Sequence, residues 1–179
     1  LTQPEGTTKL LGQVLTMSVV ASGSEPLVYQ WYKDGETIVG AEAKELAFGN
    51  LATSDASSYT VSISNEAGTV VSDSAAVTVH VPITITQQPE EARVIEGETT
   101  SFTVAAQGTE PIEYAWRFNS KAIDGATGPV LTIVNANKAN EGSYQVVMKN
   151  PAGSAVSEEV KLTVVQPVTI LDQPEEATK

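Results

Sequence analysis

The side chains of this sequence that could do chemistry are a single histidine and many carboxylates. His80 is the only histidine, cysteine is absent, and 22 Asp and Glu residues stand against 10 Lys and Arg residues. One histidine without cysteine cannot provide a zinc ligand set unless carboxylates complete it, and none cluster beside His80. We therefore predict no zinc site, and we assign His80 to packing at a junction between domains.

Calcium is the metal that carboxylates alone could bind, because it prefers hard oxygen ligands. The acidic residues are scattered or paired, as in Glu90-Glu91 and Glu158-Glu159, and no loop has the ligand spacing of an EF-hand. We interpret them as solvated surface charge. The sequence leaves open whether a weak calcium site exists.

Catalytic motifs are missing from the sequence. It contains no Gly-x-Ser-x-Gly, no metalloprotease histidine pair and no phosphate-binding loop. Carboxylate pairs can perform acid–base chemistry, but nothing distinguishes one pair from the others. We predict that the protein is not an enzyme and uses no metal or other cofactor.

Composition and charge exclude several classes of protein. The chain of 179 residues is 41% hydrophobic and 18% charged, which is typical of a packed chain rather than a disordered one. Its net charge of −12 repels nucleic acids and anionic lipids. No apolar run reaches the roughly 20 residues that span a bilayer, so we expect no membrane insertion by this fragment. The uniform acidity favours a soluble monomer.

The sequence repeats itself at an interval of 85 residues without a gap. Trp31 and Trp116 are separated by this interval, and so are Tyr59 and Tyr144. We predict a first domain at 1–82 with a truncated first strand, a second at 83–167, and the start of a third repeat at 168–179. Because Leu1 falls in mid-strand, we expect the chain to be a piece of a longer array.

Apolar residues alternate with polar ones along much of each repeat. Leu15, Met17 and Val19 alternate with polar or outward positions, and Tyr59 and Val61 begin another such run. This period of two predicts strands with one buried face. About seven short strands separated by Gly, Pro and Asn turns predict an all-β fold, a tandem pair of antiparallel β-sandwiches.

Several motifs in order resemble an intermediate-set (I-set) immunoglobulin domain. They are Trp31-Tyr-Lys-Asp-Gly35, Asp55-Ala-Ser-Ser-Tyr59-Thr-Val61 and Asn65-Glu-Ala-Gly68, with counterparts at Trp116, Tyr144 and 150–153. The resemblance implies a buried tryptophan and a tyrosine corner, in which the tyrosine hydroxyl bonds to upstream backbone. The short middle of each repeat implies that one strand of the fuller immunoglobulin pattern is missing.

The resemblance also implies where a disulfide would lie, and valines occupy both of its positions in each repeat. A disulfide typically contributes about 2–4 kcal/mol, which these domains forgo. The residues that the resemblance places in the structural core are Val19, Trp31, Tyr59, Val61, Val104, Trp116, Tyr144 and Val146.

Few aromatic residues are left over for a ligand. Of the ten, Phe48, Phe102, Tyr29 and Tyr114 share the inward positions, Tyr32 points outward, and Phe118 is not assigned to either face. Sugar and peptide grooves are commonly lined by aromatic residues. No ligand-binding residue can therefore be named, and carbohydrate binding lacks a positive signal.

Cysteine-free, shortened units in gapless tandem are similar to the immunoglobulin-like repeats of bacterial surface proteins and to phage decoration proteins. We predict structural spacer or adhesive modules of a repetitive extracellular protein, projecting a functional tip from a cell surface. The interdomain junction is His80, Val81, Pro82 and Ile83, which has no glycine and little spare length. The expected partners are neighbouring repeats of the same chain, and a cell-surface protein or glycan.

A second class of function stays open at this point. The modules could instead recognise a receptor, a glycan or a second copy of themselves, including on the surface of a virion that attaches to bacteria. The flanking sequence would separate the two, because many near-identical repeats favour a spacer.

Overall fold

The computed structural model describes residues 2–169. Its internal contacts divide the chain into two compact units, Leu1–Pro82 and Ile83–Lys179. The proposed third repeat at 168–179 lies almost entirely outside the described residues. Each unit is built of short strands and a single 3-10 turn, at Thr53–Asp55 and at Lys138–Asn140.

The described part of the first unit, from residue 2 to 82, contains eight strands. They are β1 (Thr7–Leu10), β2 (Leu15–Ser18), β3 (Val28–Lys33), β4 (Glu36–Thr37), β5 (Glu45–Phe48), β6 (Ser57–Asn65), β7 (Gly68–Val71) and β8 (Ala75–His80). One sheet has the order β1-β8-β6-β3-β4, with β7 also paired to β6, and β2 pairs with β5 in the facing sheet. Residues 38–44 form no strand, which agrees with the shortened middle of the predicted sandwich.

The second unit repeats this topology. Its strands are β9 (Thr84–Gln87), β10 (Ala92–Ile95), β11 (Thr100–Thr103), β12 (Ala105–Gln107), β13 (Glu113–Phe118), β14 (Lys121–Ala122), β15 (Val130–Ile133), β16 (Gly142–Asn150), β17 (Gly153–Val156) and β18 (Val160–Val165). One sheet has the order β10-β18-β16-β13-β14, with β17 on β16. β15 pairs with β11, and β9 pairs with β12. The all-β prediction is thus confirmed.

Alternation along the strands produces the core. In β2, Leu15 and Met17 are buried while Thr16 and Ser18 are exposed, and β8 and β18 bury every second residue in the same way. Apolar side chains from both sheets then form one buried cluster in each unit. Burying one face of each strand fixes its register, because a slip by one residue would expose that whole face.

The hairpin turns use left-handed backbone conformations where the sequence supplies suitable residues. Asp34 and Gly35 join β3 to β4 with φ of 49° and 83°. Two positive φ values in a two-residue turn match the right-handed twist of the flanking strands, which explains the Asp-Gly signal. The equivalent turn of the second unit uses Asn119 and Ser120, with φ of 46° and 67°.

The first and last strands of the main sheet run in the same direction in each unit. β1 pairs with β8 in parallel, with Thr7 opposite Val77 and Leu10 opposite His80. β10 and β18 pair in the same way. The chain therefore enters each unit at one pole and leaves it at the opposite pole.

Candidate functional site

The tryptophan and valine positions named from the sequence form the centre of each core. Trp31 and Val61 of the first unit are 0% exposed, as are Trp116 and Val146 of the second. Each tryptophan also satisfies its indole N–H, which donates to the backbone oxygen of Ala43 or Gly128 at 2.9 Å. The other four named residues, Val19, Tyr59, Val104 and Tyr144, are buried too.

The tyrosines form corners with the backbone four residues upstream. The hydroxyl of Tyr59 donates to the carbonyl oxygen of Asp55 at 2.9 Å, and that of Tyr144 donates to Asn140 at 2.8 Å. Burial, together with the negative charges of Asp55 and Asp34, raises the pKa of Tyr59 to about 12. Burial also raises the pKa of Tyr144. Both hydroxyls thus bind the backbone of their own unit.

Sequence reasoning missed a second polar element of each core, a buried serine near the end of the unit. Ser72 lies between β7 and β8, where its hydroxyl oxygen accepts from the Val61 N–H at 3.0 Å. The same hydroxyl donates to the Asp73 carbonyl at 2.9 Å. In the second unit, the Ser157 hydroxyl accepts from the Val146 N–H and donates to the Glu158 carbonyl. Ser72 thus lies in the interruption between β7 and β8, and Ser157 lies in the interruption between β17 and β18.

A glutamine near the start of each unit accepts a hydrogen bond from the backbone at this interruption. The side-chain oxygen of Gln3 accepts from the Asp73 N–H, and that of Gln88 accepts from the Glu158 N–H, both at 2.9 Å. The signal that could have revealed this network is the recurrence of both polar residues at the 85-residue interval. The network provides partners for backbone N–H and C=O groups of each unit.

Asp34, in the turn between β3 and β4 of the first unit, also accepts hydrogen bonds from neighbouring residues. Asp34 accepts from the Ser58 N–H at 3.1 Å and from the Ser57 hydroxyl. These hydrogen bonds, with that of Ser57 the larger, hold the pKa of the carboxyl below its ordinary value. Asn119 makes the equivalent bond to Ser143 at 2.9 Å without a charge.

The residues named at the junction lie where the first unit ends. His80 is the last residue of β8 and is half-buried, with its carbonyl accepting from the Leu11 N–H at 2.8 Å. Val81 is half-buried and Pro82 exposed, while Ile83 packs against the core of the second unit. In residues 2–169, no group of three or more His, Asp or Glu side chains is placed to hold a metal ion.

The remaining aromatic residues mostly serve the cores. Tyr29 and Phe48 pack against the first core, and Phe102 and Tyr114 belong to the second. Tyr32 is half-buried, with its hydroxyl 3.5 Å from Ser62. Phe118, unassigned by the sequence, packs inward, with its ring centroid 4.9 Å from that of Tyr144.

One side of the second unit carries an apolar groove, which we call the open flank. It lies along β15 and has a volume of about 320 Å³. Its lining is mostly apolar: Phe118, Ile123, Leu131, Ile133, Val134 and Tyr144. In the first unit Lys33 takes the position of Phe118, and its ammonium group donates to the Ser54 carbonyl.

Comparisons with known proteins agree with this architecture. The immunoglobulin I-set domain family matches residues 83–164. Hemicentin-2 of Mus musculus is 29% identical over 174 residues, 92% of this chain and 3% of that protein. Endoglucanase C of Cellulomonas fimi is 32% identical over 93 residues, 50% of this chain and 8% of the enzyme.

Two further proteins are similar over nearly the whole chain. The human cell adhesion molecule DSCAM is 27% identical over 187 residues, 92% of this chain and 9% of that protein. The structure of the I-band fragment I67–I69 from titin has a TM-score of 0.70 and 25% identity, covering 93% of this chain and 65% of the fragment.

This chain spans less than a tenth of the length of each of the three relatives hemicentin-2, endoglucanase C and DSCAM. The similarity therefore covers a small part of each of these proteins. Residues 83–164 therefore belong to the immunoglobulin I-set, and the two described units of the chain are tandem immunoglobulin-like domains.

Proposed function

We propose that these domains are non-catalytic spacer and adhesive modules of a repetitive extracellular surface protein. The observation that carries this proposal is the parallel pairing of the entering and leaving strands in each unit. Because the chain crosses each unit from pole to pole, every added unit extends the array. A short proline-containing junction at 81–83 restricts bending between neighbours.

The relatives support a structural or adhesive role. One is named as a cell adhesion molecule, and the similar structure is a fragment of titin's I-band. Endoglucanase C is an enzyme by name, but the similarity covers only 8% of its length. No helix in residues 2–169 is long and apolar enough to cross a membrane.

Small-angle scattering of the chain tests the spacer role. We expect an elongated particle whose longest dimension is about twice that of one domain. A compact particle, with the two domains folded onto each other, would contradict the proposal. A chain with Pro82→Gly would serve as a matched variant, because a glycine there loosens the junction and should broaden the distribution of distances.

The alternative is a recognition module that binds a receptor, a glycan or a second copy, on a cell or on a virion. Its discriminating experiment is a binding assay of the fragment against a glycan array and against intact bacterial cells. Saturable binding there would favour recognition over a spacer. Binding of a second copy would instead show as association of the chain with itself at rising concentration.

A further inference from the structure

The outer face of the main sheet of the second unit collects positive charge. Of the six basic residues in 83–167, four lie on this face, where they are exposed and alternate with buried core residues. Of the ten acidic residues in the same stretch, the strands of this sheet place only Glu113 there. The four basic residues are Arg93, Arg117, Lys149 and Lys161. This concentration of cations runs against the acidity of the unit as a whole.

Three of these cations form a diagonal line, which we call the basic row: Arg93, Lys161 and Arg117. Arg93 lies opposite Thr163 of β18, two residues from Lys161. Lys161 lies opposite Ser143 of β16. Arg117 lies opposite Gln145, two residues further along β16. Because strands are about 4.8 Å apart and rise about 3.3 Å per residue, successive members of the row have Cα atoms about 8 Å and about 12 Å apart.

The basic row has no ionic partner among the described residues of its own chain. None of its three members forms an ion pair with a carboxylate of residues 2–169. Glu159 is exposed and lies two residues before Lys161, and Glu113 lies opposite Lys149, away from the row. Since like charges on neighbouring strands repel each other, the row destabilises the sheet that carries it.

The first unit shows that the fold does not require these cations. At the positions equivalent to the row it has Thr8, Ala76 and Tyr32, and Ser64 stands in place of Lys149. The outward residues of β1, β3, β6, β7 and β8 include no Asp, Glu, Lys or Arg. A structural role therefore does not explain the basic row, whereas binding of an anion does.

We propose that the basic row binds an anionic polysaccharide, a linear sugar polymer that carries sulfate, phosphate or carboxylate groups. This gives the adhesive role proposed above a site and a ligand class, and it rests on that role. An arginine guanidinium donates two parallel hydrogen bonds to such an oxyanion, and a lysine attracts one as a point charge. The hydroxyls of Ser143 and Thr163, between the cations, can exchange hydrogen bonds with sugar hydroxyls.

Other anionic macromolecules fit the basic row less well. Protein partners are commonly anchored by exposed aromatic residues, and single-stranded nucleic acids stack on them. The aromatic residues of β13 instead pack against the core of the unit. A nucleic acid duplex or an anionic membrane presents dense charge over a wide area, which the acidic remainder of the chain repels. A thin polymer along the row approaches few of these acidic residues.

Calorimetry of the whole chain with a short dextran oligosaccharide, in sulfated and unsulfated forms, tests the proposal. We expect the sulfated form to bind and the unsulfated form not to bind. Arg93→Gln combined with Lys161→Gln should weaken binding by about ten-fold or more. Lys44→Gln combined with Lys121→Gln removes the same charge from exposed positions outside the row, and this matched control should weaken binding by less than about two-fold. Circular dichroism checks that each variant is folded.

Two further variants test the geometry of the site. Glu159→Gln removes a negative charge beside Lys161 and should tighten binding of the sulfated oligosaccharide. Thr8→Arg, Tyr32→Arg and Ala76→Lys in one chain copy the row onto the first unit and should double the number of sites that calorimetry counts.

Equal losses of affinity in the two double variants would overturn the site, because binding would then follow overall charge. Polyglutamate or duplex DNA that binds as tightly as the sulfated oligosaccharide would overturn a polysaccharide as the ligand. A chain that binds none of these probes would also overturn the proposal. An elongated particle in small-angle scattering would still leave the spacer role standing, so the two proposals fail separately.

Discussion

At the scale of single residues, the valine pairs make each core depend on close packing instead of a covalent link. Val19 and Val61 are buried to 2% and 0% exposure in one cluster with Trp31. With no disulfide to restrict the unfolded chain, the packing of these side chains contributes directly to the free energy of unfolding.

Truncating one valine should therefore be costly. We expect Val61→Ala to lower the free energy of unfolding by about 1–4 kcal/mol, because it leaves a cavity beside the tryptophan. Urea unfolding followed by circular dichroism measures the change. Val71→Ala, at a position 61% exposed on the neighbouring strand, is the control and should change stability by less than about 0.5 kcal/mol. A neutral Val61→Ala would mean that the packing around this strand is misassigned.

The tyrosine corners predict a loss of stability at high pH. The pKa of Tyr59 rises to about 12 in the folded state, above its ordinary value of about 10. Folding thus favours the neutral phenol, so its contribution is complete below pH 10 and is lost as the pH rises toward 12. We expect the free energy of unfolding to fall across this window, and Tyr59→Phe to remove part of that fall. Unfolding curves in urea between about pH 9 and the folded-state pKa would show the difference, and an unchanged slope would contradict the assignment.

At the scale of elements, the same turn is built from different residues in the two units. Ser120 adopts φ of 67°, a left-handed conformation that costs a residue with a side chain about 1–2 kcal/mol, whereas Gly35 occupies the equivalent position at 83°. The second unit therefore stores strain in this hairpin that the first unit avoids.

Exchanging the two turn residues should move stability in opposite directions. We expect Ser120→Gly to raise the free energy of unfolding by about 0.5–1 kcal/mol, and Gly35→Ser to lower it by a similar amount. Apart from Gly35 and its two chain neighbours, no heavy atom lies within 4 Å of the point where a Cβ would stand on Gly35, so the loss there would come from backbone strain and not from a clash. Thermal unfolding of both variants measures the two changes in stability. If both substitutions raised or both lowered the free energy of unfolding, the two turns would differ in more than φ.

The break in the last strand depends on a hydroxyl inside the core. We expect Ser72→Ala to destabilise the first unit by about 1–3 kcal/mol, because it leaves the buried Val61 N–H without its acceptor. Ser74→Ala, two residues away and exposed, is the matched control. Hydrogen exchange at the Val61 amide should accelerate in the first variant only; unchanged exchange in both would exclude this role for the hydroxyl.

The sequence was informative where a local pattern controls the structure, and much less so where spatial neighbours do. Period-two alternation puts Leu15, Met17 and Val61 on inward faces, and all three are buried in the structure. The pair Asp34-Gly35 predicts a tight turn, and it joins β3 to β4. The interruption between β7 and β8 could not be predicted from the sequence, because Asp73 contacts Gln3, 70 residues away in sequence, only after folding. The open flank was also hidden, since the inward direction of the Phe118 ring depends on which strands surround it.

At the scale of the whole molecule, the dispersed acidity opposes contact between copies. The net charge is −12, and both units are acidic. This repulsion acts through solvent and is screened by salt.

The parallel pairing of β1 with β8, and of β10 with β18, has a mechanical consequence for a chain under tension. When tension is applied along the chain, β1 and β8 of the first unit are pulled in opposite directions along their own axes. Their hydrogen bonds, between Thr7–Leu10 and Val77–His80, are then loaded together in shear and cannot be opened one after another. The same holds for β10 and β18. Tension along the chain would therefore load these hydrogen bonds in shear in both domains.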